Sequence, residues 1–379
     1  MKRKLLIITP IFPPRTGGPS TYTWELSKRL KKKYKVTVLC FADQVIRPDR
    51  IRVVPIQLSK GTIYRQLRLL LQCFRFIPKS DIIYIQGPLV VGFVSVIVSW
   101  IFHKISLMKV VGDEAWEALS LSYKTRHNLE EFHAKKTRWF YPSIMFQKFS
   151  LSLVPTIVTP SQYLKQFLTT SYQLNPTKII VVPNAVEIDE SLNARSKKKY
   201  LITSIGRLVP HKHFEKVILS MQLLQKEKKF NQYRLHIAGE GPEKEKLERL
   251  ISKLRITKSA ELIGRKNKQE VYKILQSSQA LVLASDYEGL SHVIIESMLL
   301  GTPIIATDIP GNREILTHGI TGYLFSSSVN ELANAMKIIL SNDILRNKLI
   351  KNAKKEATEK FNWENHTKRL IYLFREEFT

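Results

Sequence analysis

Apolar residues in this chain fall in short unbroken runs of four to six, separated by longer stretches in which they recur every three or four positions. Unbroken runs are the mark of strands covered on both faces, and the longer period is that of an amphipathic helix. In the first half LLIIT (5–9), VTVLC (36–40), IRVVP (51–55), IIYI (82–85), MKVV (108–111), TIVT (156–159) and IIVV (179–182) predict strands. STYTWELSKRL (20–30) predicts a helix with Tyr22, Leu26 and Leu30 on one face. The stretch 187–199 has a polar middle without apolar period and reads as a linker, after which the same grammar restarts. Strands are predicted at 200–205, 234–238, 260–263, 280–284 and 303–307, with helices such as HFEKVILSMQLLQK and NKQEVYKILQSS between them.

The expected fold class is α/β, two doubly wound Rossmann-like domains at 1–190 and 200–358. A last amphipathic segment, 359–379, spaces Trp363, Leu370, Phe374 and Phe378 for one face and is expected to pack back on the first domain. Two such domains create a cleft between the carboxyl ends of their sheets, so the chemistry is expected in the loops that follow strands. The longest apolar run, LVVGFVSVIVSWIF (89–102), has 14 residues. A membrane span needs about 20, so a buried helix is expected, with shallow membrane insertion the alternative.

Charge adds a second theme. The 379 residues hold 60 Lys and Arg against 32 Asp and Glu, a net +28, and residues 1–190 hold 28 against 12, or +16. Such a field suits a polyanion or an anionic membrane surface. The densest run, KRLKKKYK (Lys28–Lys35), reads either as such a contact or as a solvated last helical turn, where cations suit the negative end of the dipole. Nucleic acid is not expected: the basic residues are spread over both halves, and aromatics are not interleaved with the run. Cys40 and Cys73 stand alone, which supports neither a disulfide framework nor a cysteine metal site. The opening MKRKLLIITPIFPP has too short an apolar run for a secretory signal, so a cytoplasmic location is expected.

Three loops carry candidate chemistry. DYEGLSHVIIESMLLG (286–301) leaves a strand and opens a helix ended by Gly301. The amides of Gly289, Leu290 and Ser291 at that helix start attract phosphate oxygens or sugar hydroxyls, while Glu288 and Glu296 can accept hydroxyls, Glu296 the pair on a ribose. An isolated glutamate near a helix start is more often only a favourable charge. Phosphates need cations, and GRLVPHK (206–212) follows the first strand of the second half: Arg207 offers a rigid fork and Lys212 a mobile point charge. PPRTGGPS (13–20) follows the first strand of all, and Gly17 and Gly18 allow close backbone approach before a helix. Its glycine spacing is neither that of a dinucleotide fingerprint nor of a Walker loop.

Taken in order, PPRTGG (13–18), PNAVE (183–187), GRLVPHK (206–212), GEGPE (239–243), IGR (263–265) and EGLSHVIIESMLLGTPIIATD (288–308) resemble the retaining glycosyltransferases of family 4, built on the GT-B fold. The resemblance covers almost the whole chain. It implies transfer of a hexose-type residue from a nucleotide diphosphate sugar to a glycan, lipid-linked or other hydroxyl acceptor, with no metal and no further cofactor. By the same resemblance Arg207 and Lys212 hold the donor diphosphate, Glu288 the sugar hydroxyls, Leu290 and Ser291 the phosphate or sugar, and Glu296 the ribose. Ile263, Gly264 and Arg265 flank the base, and Gly17 and Gly18 lie against the sugar diphosphate. The chain departs from the pattern in KVVGDEAWEA (109–118), where many members carry a histidine after the strand and this one has Gly112 and Asp113. Asp113 is a candidate near the acceptor or the sugar, and equally a turn or N-cap aspartate. His211 and His213 read as part of the phosphate loop, and no Asp-x-Asp occurs. The rival readings are a GT-B sugar-nucleotide epimerase and a basic nucleic-acid-binding protein. A location on the inner face of the cytoplasmic membrane, peripheral and held by charge, is the expectation for a lipid-linked acceptor; the alternative is that the charge only keeps the chain soluble.

Overall fold

The computed structural model describes residues 2–15, 17–122, 124–125, 127–135, 141–188 and 200–376. The chain divides into two compact units: Met1–Leu119 with Leu129–Pro183 and Glu364–Thr379, and Ser120–Asn128 with Asn184–Trp363. The linker expected at 187–199 falls outside the described residues apart from Glu187 and Ile188, as does Phe378 of the last helix.

The first unit runs β1 (Lys4–Thr9), α1 (Gly18–Leu30), β2 (Lys35–Phe41), β3 (Arg52–Ile56), α2 (Thr62–Phe76), β4 (Ile82–Gln86), α3 (Gly92–Ile101), β5 (Ser106–Lys109), α4 (Glu114–Leu121), α5 (Leu129–Ala134), α6 (Pro142–Leu153), β6 (Thr156–Thr159), α7 (Gln162–Tyr172) and β7 (Ile179–Val181). The last residues of α4 belong to the second unit. Its strands pair in the order β3-β2-β1-β4-β5-β6-β7, all parallel. β4 is buried at every residue, as a strand covered by helices on both faces must be.

The second unit runs β8 (Leu201–Ile205), α8 (Phe214–Gln225), β9 (Arg234–Ala238), α9 (Lys244–Lys253), β10 (Ala260–Gly264), α10 (Lys268–Ser277), β11 (Ala280–Leu283), α11 (His292–Leu300), β12 (Ile304–Thr307), α12 (Pro310–Arg313), β13 (Tyr323–Phe325), α13 (Val329–Ser341) and α14 (Asp343–Lys360), before α15 (Trp363–Glu376). Its strand order is β10-β9-β8-β11-β12-β13. That is the doubly wound order, in which the chain turns back beside its first strand and leaves a crevice at the carboxyl ends of β8 and β11. The first sheet has the corresponding point between β1 and β4.

Right-handed crossovers decide which face each helix covers. In the first sheet β1 to β2 steps one way along the strand order, whereas β3 to β4, β4 to β5 and β5 to β6 step the other way. α1 therefore lies on one face, and α2, α3 and α6 lie on the opposite one. α15 fills the first unit's core: Leu370 and Phe374 are fully buried, and the Phe374 ring meets Tyr34 at 6.0 Å and Tyr84 at 5.6 Å.

Two local expectations are corrected. The strand expected at 108–111 begins two residues earlier and stops at Lys109. Ser106 and Lys109 are both buried, and a search for apolar runs passes over polar residues that a sheet encloses. The run 89–102 does not make a fully buried helix. α3 turns Ser95 and Ser99 inward, each hydroxyl donating to the carbonyl four residues back, and leaves Trp100 66% exposed.

Candidate active site

The doubly wound topology of the second unit brings two of the three motif loops side by side. The loop after β8 carries Gly206 to His213, and the loop after β11 carries Ser285 to Ser291. The amide of Asp286 donates to the carbonyl of His211 at 3.0 Å, tying one loop to the other. Lys212 Nζ donates to Glu288 Oε1 at 2.6 Å, and Ser285 Oγ donates to the same oxygen at 2.9 Å. Both side chains are largely buried, Lys212 at 18% and Glu288 at 10% side-chain exposure, so neighbouring water weakens the attraction less than it would on an open surface. Arg207 is exposed on the same loop. Leu290 and Ser291 are buried, and Ser291 immediately precedes α11.

His213 lies between two carboxylates, with Nδ1 2.6 Å from Glu215 and Nε2 bonded to Asp286. Burial opposes the charged ring, but the hydrogen bonds to Asp286 and Glu215 outweigh it and push His213 up to about 9. Its neighbour His211 is driven the other way, to about 3, by burial and by the charges of Lys212 and Arg207. At neutral pH the loop thus presents Arg207, Lys212 and a charged His213, with His211 neutral.

The GEGPE motif works as a brace. Leu208 N–H donates to the Glu240 carbonyl at 2.9 Å, and Glu243 N–H donates to the Leu208 carbonyl at 3.1 Å, which fixes the backbone that carries Arg207. A second brace comes from the loop after β12: a Cβ on Gly311 would lie 1.8 Å from the Glu288 carbonyl oxygen, so only glycine lets that segment close on the glutamate.

Glu296 is one and a half turns into α11, with Tyr272 Oη 3.4 Å from its Oε1. Loss of water raises its carboxyl to about 7, with the Lys268 charge pulling the other way. At the end of β10 the register shifts between Leu262 and Gly264, and Gly264 has φ +69°, a bulge that a side chain at that position would strain. Ile263 is partly exposed there and Arg265 is exposed.

In the first unit Gly17 precedes α1 and Gly18 opens it. A Cβ on Gly18 would meet nothing within 4 Å, so no packing demands glycine there. Asp113, the candidate for the acceptor or sugar side and equally for a turn or N-cap, directly precedes α4. It is fully buried, and its carboxylate accepts from Trp116 N–H (2.9 Å), Gln147 Nε2 (2.8 Å) and Tyr172 Oη (2.8 Å), with His133 Nε2 at 2.7 Å. Four partners occupy its oxygens, and the bond from Trp116 is that of a helix N-cap. Sequence reasoning missed Ser285, the bonding of Asp286 to His213, and Gly311. The first two were legible as polar residues directly before Glu288; Gly311 had no signal beyond lying after a strand.

Residues 16–190 match the family described as Glycosyltransferase Family 4, and residues 186–356 match Glycosyl transferases group 1. The chain is a family 4 glycosyltransferase. This glycosyltransferase is 26% identical over 235 residues to an uncharacterized glycosyltransferase of Methanocaldococcus jannaschii, a match that takes in 58% of this chain and 59% of that protein. It spans about half the length of the curated relatives it matches. Among solved structures it is similar to sucrose-phosphate synthase from Thermosynechococcus elongatus, with TM-score 0.79 and 17% identity over 100% of this chain and 99% of that one. It is also similar to Anabaena HepE in complex with UDP and glucose, with TM-score 0.78 and 17% identity over 98% and 99%. Both likenesses concern the fold, which is GT-B.

Proposed function

We propose that the enzyme transfers a hexose-type residue from a nucleotide diphosphate sugar to an acceptor hydroxyl with retention at the anomeric carbon. The observation that carries this reading is the Lys212–Glu288 pair at the carboxyl ends of β8 and β11, with Arg207 on the same loop. A cation suited to a phosphate and a carboxylate suited to sugar hydroxyls bond each other at 2.6 Å, so both kinds of recognition are offered at one spot. The bound UDP and glucose of the similar HepE structure support a donor of this chemical class.

In this reading Arg207 and Lys212 hold the diphosphate, the α11 amides from Gly289 to Ser291 take a phosphate or sugar oxygen, and Glu288 orients the sugar through its hydroxyls. Glu296 accepts the ribose hydroxyls, the strand end at Ile263, Gly264 and Arg265 lies along the base, and Gly17 and Gly18 face the sugar diphosphate. The bond from the anomeric carbon to the phosphate oxygen breaks as the acceptor oxygen bonds to the same face. The acceptor proton passes to the departing phosphate oxygen, and a nucleoside diphosphate leaves. Arg207 and Lys212 stabilise the charge that grows on that leaving group, which is electrostatic catalysis supplied by side chains.

A panel of UDP-, GDP- and ADP-sugars in thermal shift identifies the donor, since a ligand at one hundred times its Kd stabilises by roughly 2.7 kcal/mol. Arg207→Ala and Lys212→Ala should each lower kcat with the selected donor by one to three orders of magnitude, about 1.4 to 4 kcal/mol of barrier. Wild-type kcat in both variants would remove the diphosphate from this loop. NMR of the product's anomeric proton decides retention against inversion.

A further inference from the structure

We propose that the face of the first unit built by α2, α3 and α6 docks the protein on an anionic lipid bilayer. The three helices are neighbours on one face of the sheet, and each turns large apolar side chains to solvent. On α2 a buried stripe of Leu69, Cys73 and Phe76 faces the core. Ile63 (80% exposed), Leu67 (57%), Leu71 (57%) and Phe74 (43%) form a second apolar stripe. At roughly 100° per residue the two stripes lie on opposite sides of the helix. A helix that only covers a sheet needs the first stripe and has no use for the second.

α3 and α6 also turn large apolar side chains outward, while their buried faces mix apolar residues (Val96 and Val98 on α3, Ile144 and Leu151 on α6) with polar ones. α3 buries Ser95 and Ser99 and exposes Trp100 and Ile101, with exposed Phe102 next in the chain. α6 buries Gln147 and Ser150 and exposes Met145, Phe146 and Phe149. Ring contacts join the three into one surface: Phe74 of α2 meets Phe102 at 5.6 Å, and Phe93 of α3 meets Phe146 of α6 at 5.0 Å. Contiguous exposure of this kind marks an interaction site, unlike single scattered apolar residues.

The charge around the patch selects the occupant. From residue 62 to 105 the one carboxylate is Asp81, against Arg65, Arg68, Arg75, Lys79 and Lys104, and α6 carries Lys148 and no acid. Asp81 Oδ2 accepts from the Lys4 amide, which ties that carboxylate to the start of β1. A second copy of the chain docked through the same face would set these cations against their own counterparts with no carboxylate to relieve them. An anionic bilayer complements both features: headgroups for Arg68 and Arg75 beside the α2 stripe, and the acyl boundary for tryptophan, phenylalanine and leucine. The basic run Lys28–Lys35 lies elsewhere. It begins on α1, on the other face of the sheet, where Lys28 and Arg29 bond Glu25 and Lys31 lies 3.9 Å from Asp49.

The test uses the whole chain and vesicles of phosphatidylglycerol with phosphatidylcholine, against phosphatidylcholine alone. The wild type should sediment with the anionic vesicles at low salt, and Leu67→Glu/Leu71→Glu/Trp100→Glu should bind at least tenfold more weakly. All three residues are exposed, so the variant should keep the wild-type melting temperature. Reversing Lys31, Lys32 and Lys33 to Glu should leave vesicle binding within twofold. Absence of wild-type sedimentation, unchanged binding by the triple apolar variant, or a wild-type dimer in solution that this variant abolishes would each overturn the proposal, the last by assigning the face to a second copy. Sedimentation reads no sugar transfer, so its outcome is independent of the proposed reaction.

Discussion

A single carboxyl, that of Glu296, makes the proposed donor site sensitive to pH. Burial raises it to about 7 from the ordinary 4.5, so between those values the folded chain holds a proton that the unfolded chain has lost. The contribution of this carboxyl to stability therefore falls as pH rises through that window and is level above about 7. In the proposed site the ionised form receives the ribose hydroxyls. Donor KM should accordingly rise as pH falls below about 7, and Glu296→Gln should give a raised KM that stays flat from about pH 6 to 8 with kcat nearly unchanged, since the ribose is held alike in ground and transition states. A wild-type pH profile in the variant would place the titration on another group. Asp113 teaches the opposite lesson about residues. Its place in a motif loop was legible, but whether a loop aspartate faces a substrate or a core depends on residues 20, 34 and 59 positions away, His133, Gln147 and Tyr172. Asp113→Ala strands several buried donors at about 1–3 kcal/mol each, so a loss of at least about 3 kcal/mol is expected. Calorimetry should show the melting point lowered by roughly 6 °C or more, with kcat of the folded fraction near wild type. A kcat collapse at unchanged melting temperature would instead favour Asp113 at the reacting centre.

At the scale of elements, short unbroken apolar runs were read correctly because a strand between two helical layers has no polar face to confuse it; β1, β4 and β6 are of this kind. β13 has three residues, too few for any run to stand out. α3 was misread because it hides serines, whose hydroxyls bond their own helix, and shows its tryptophan to solvent. The candidate site was legible as separate loops, each following a strand; their meeting followed from strand order, which no local pattern reveals. Gly311 measures how tightly that meeting is held. With a Cβ 1.8 Å from the Glu288 carbonyl, Gly311→Ala must move α12 or the Glu288 loop by more than an ångström. Misplacement on that scale costs on the order of 100-fold in rate, so kcat should fall by about that factor while donor KM, set largely at Glu296 farther along α11, changes much less. Equal losses in both parameters would show that the whole of α11 had shifted instead.

For the whole molecule, the net charge of +28 is visible at once but not where it acts, because a sequence does not show which cations already have partners. The division into units is likewise only half visible: a final amphipathic helix announces a buried face without naming the core that receives it. α15 begins at the edge of the second unit, and Glu364–Thr379 belong to the first. His366 bridges Tyr22 Oη at 2.8 Å and the Pro183 carbonyl at 2.6 Å, while Leu370, Leu373 and Phe374 are buried. Three such side chains contribute about 1.5–3 kcal/mol each, roughly 5–9 kcal/mol as an upper estimate, against a net stability of about 5–15 kcal/mol for a domain. Removing the helix thus takes away a large part of what holds the first unit together and almost nothing from the second, whose core is built from residues 186 to 361. A chain ended after Trp363 should lose hydrogen-exchange protection in β1 and β4, where Phe374 packs on Tyr84, and keep it in β8, β11 and β12. Retained protection in both sheets would mean that the first unit is stable without α15, and that the helix is an attachment to a finished core.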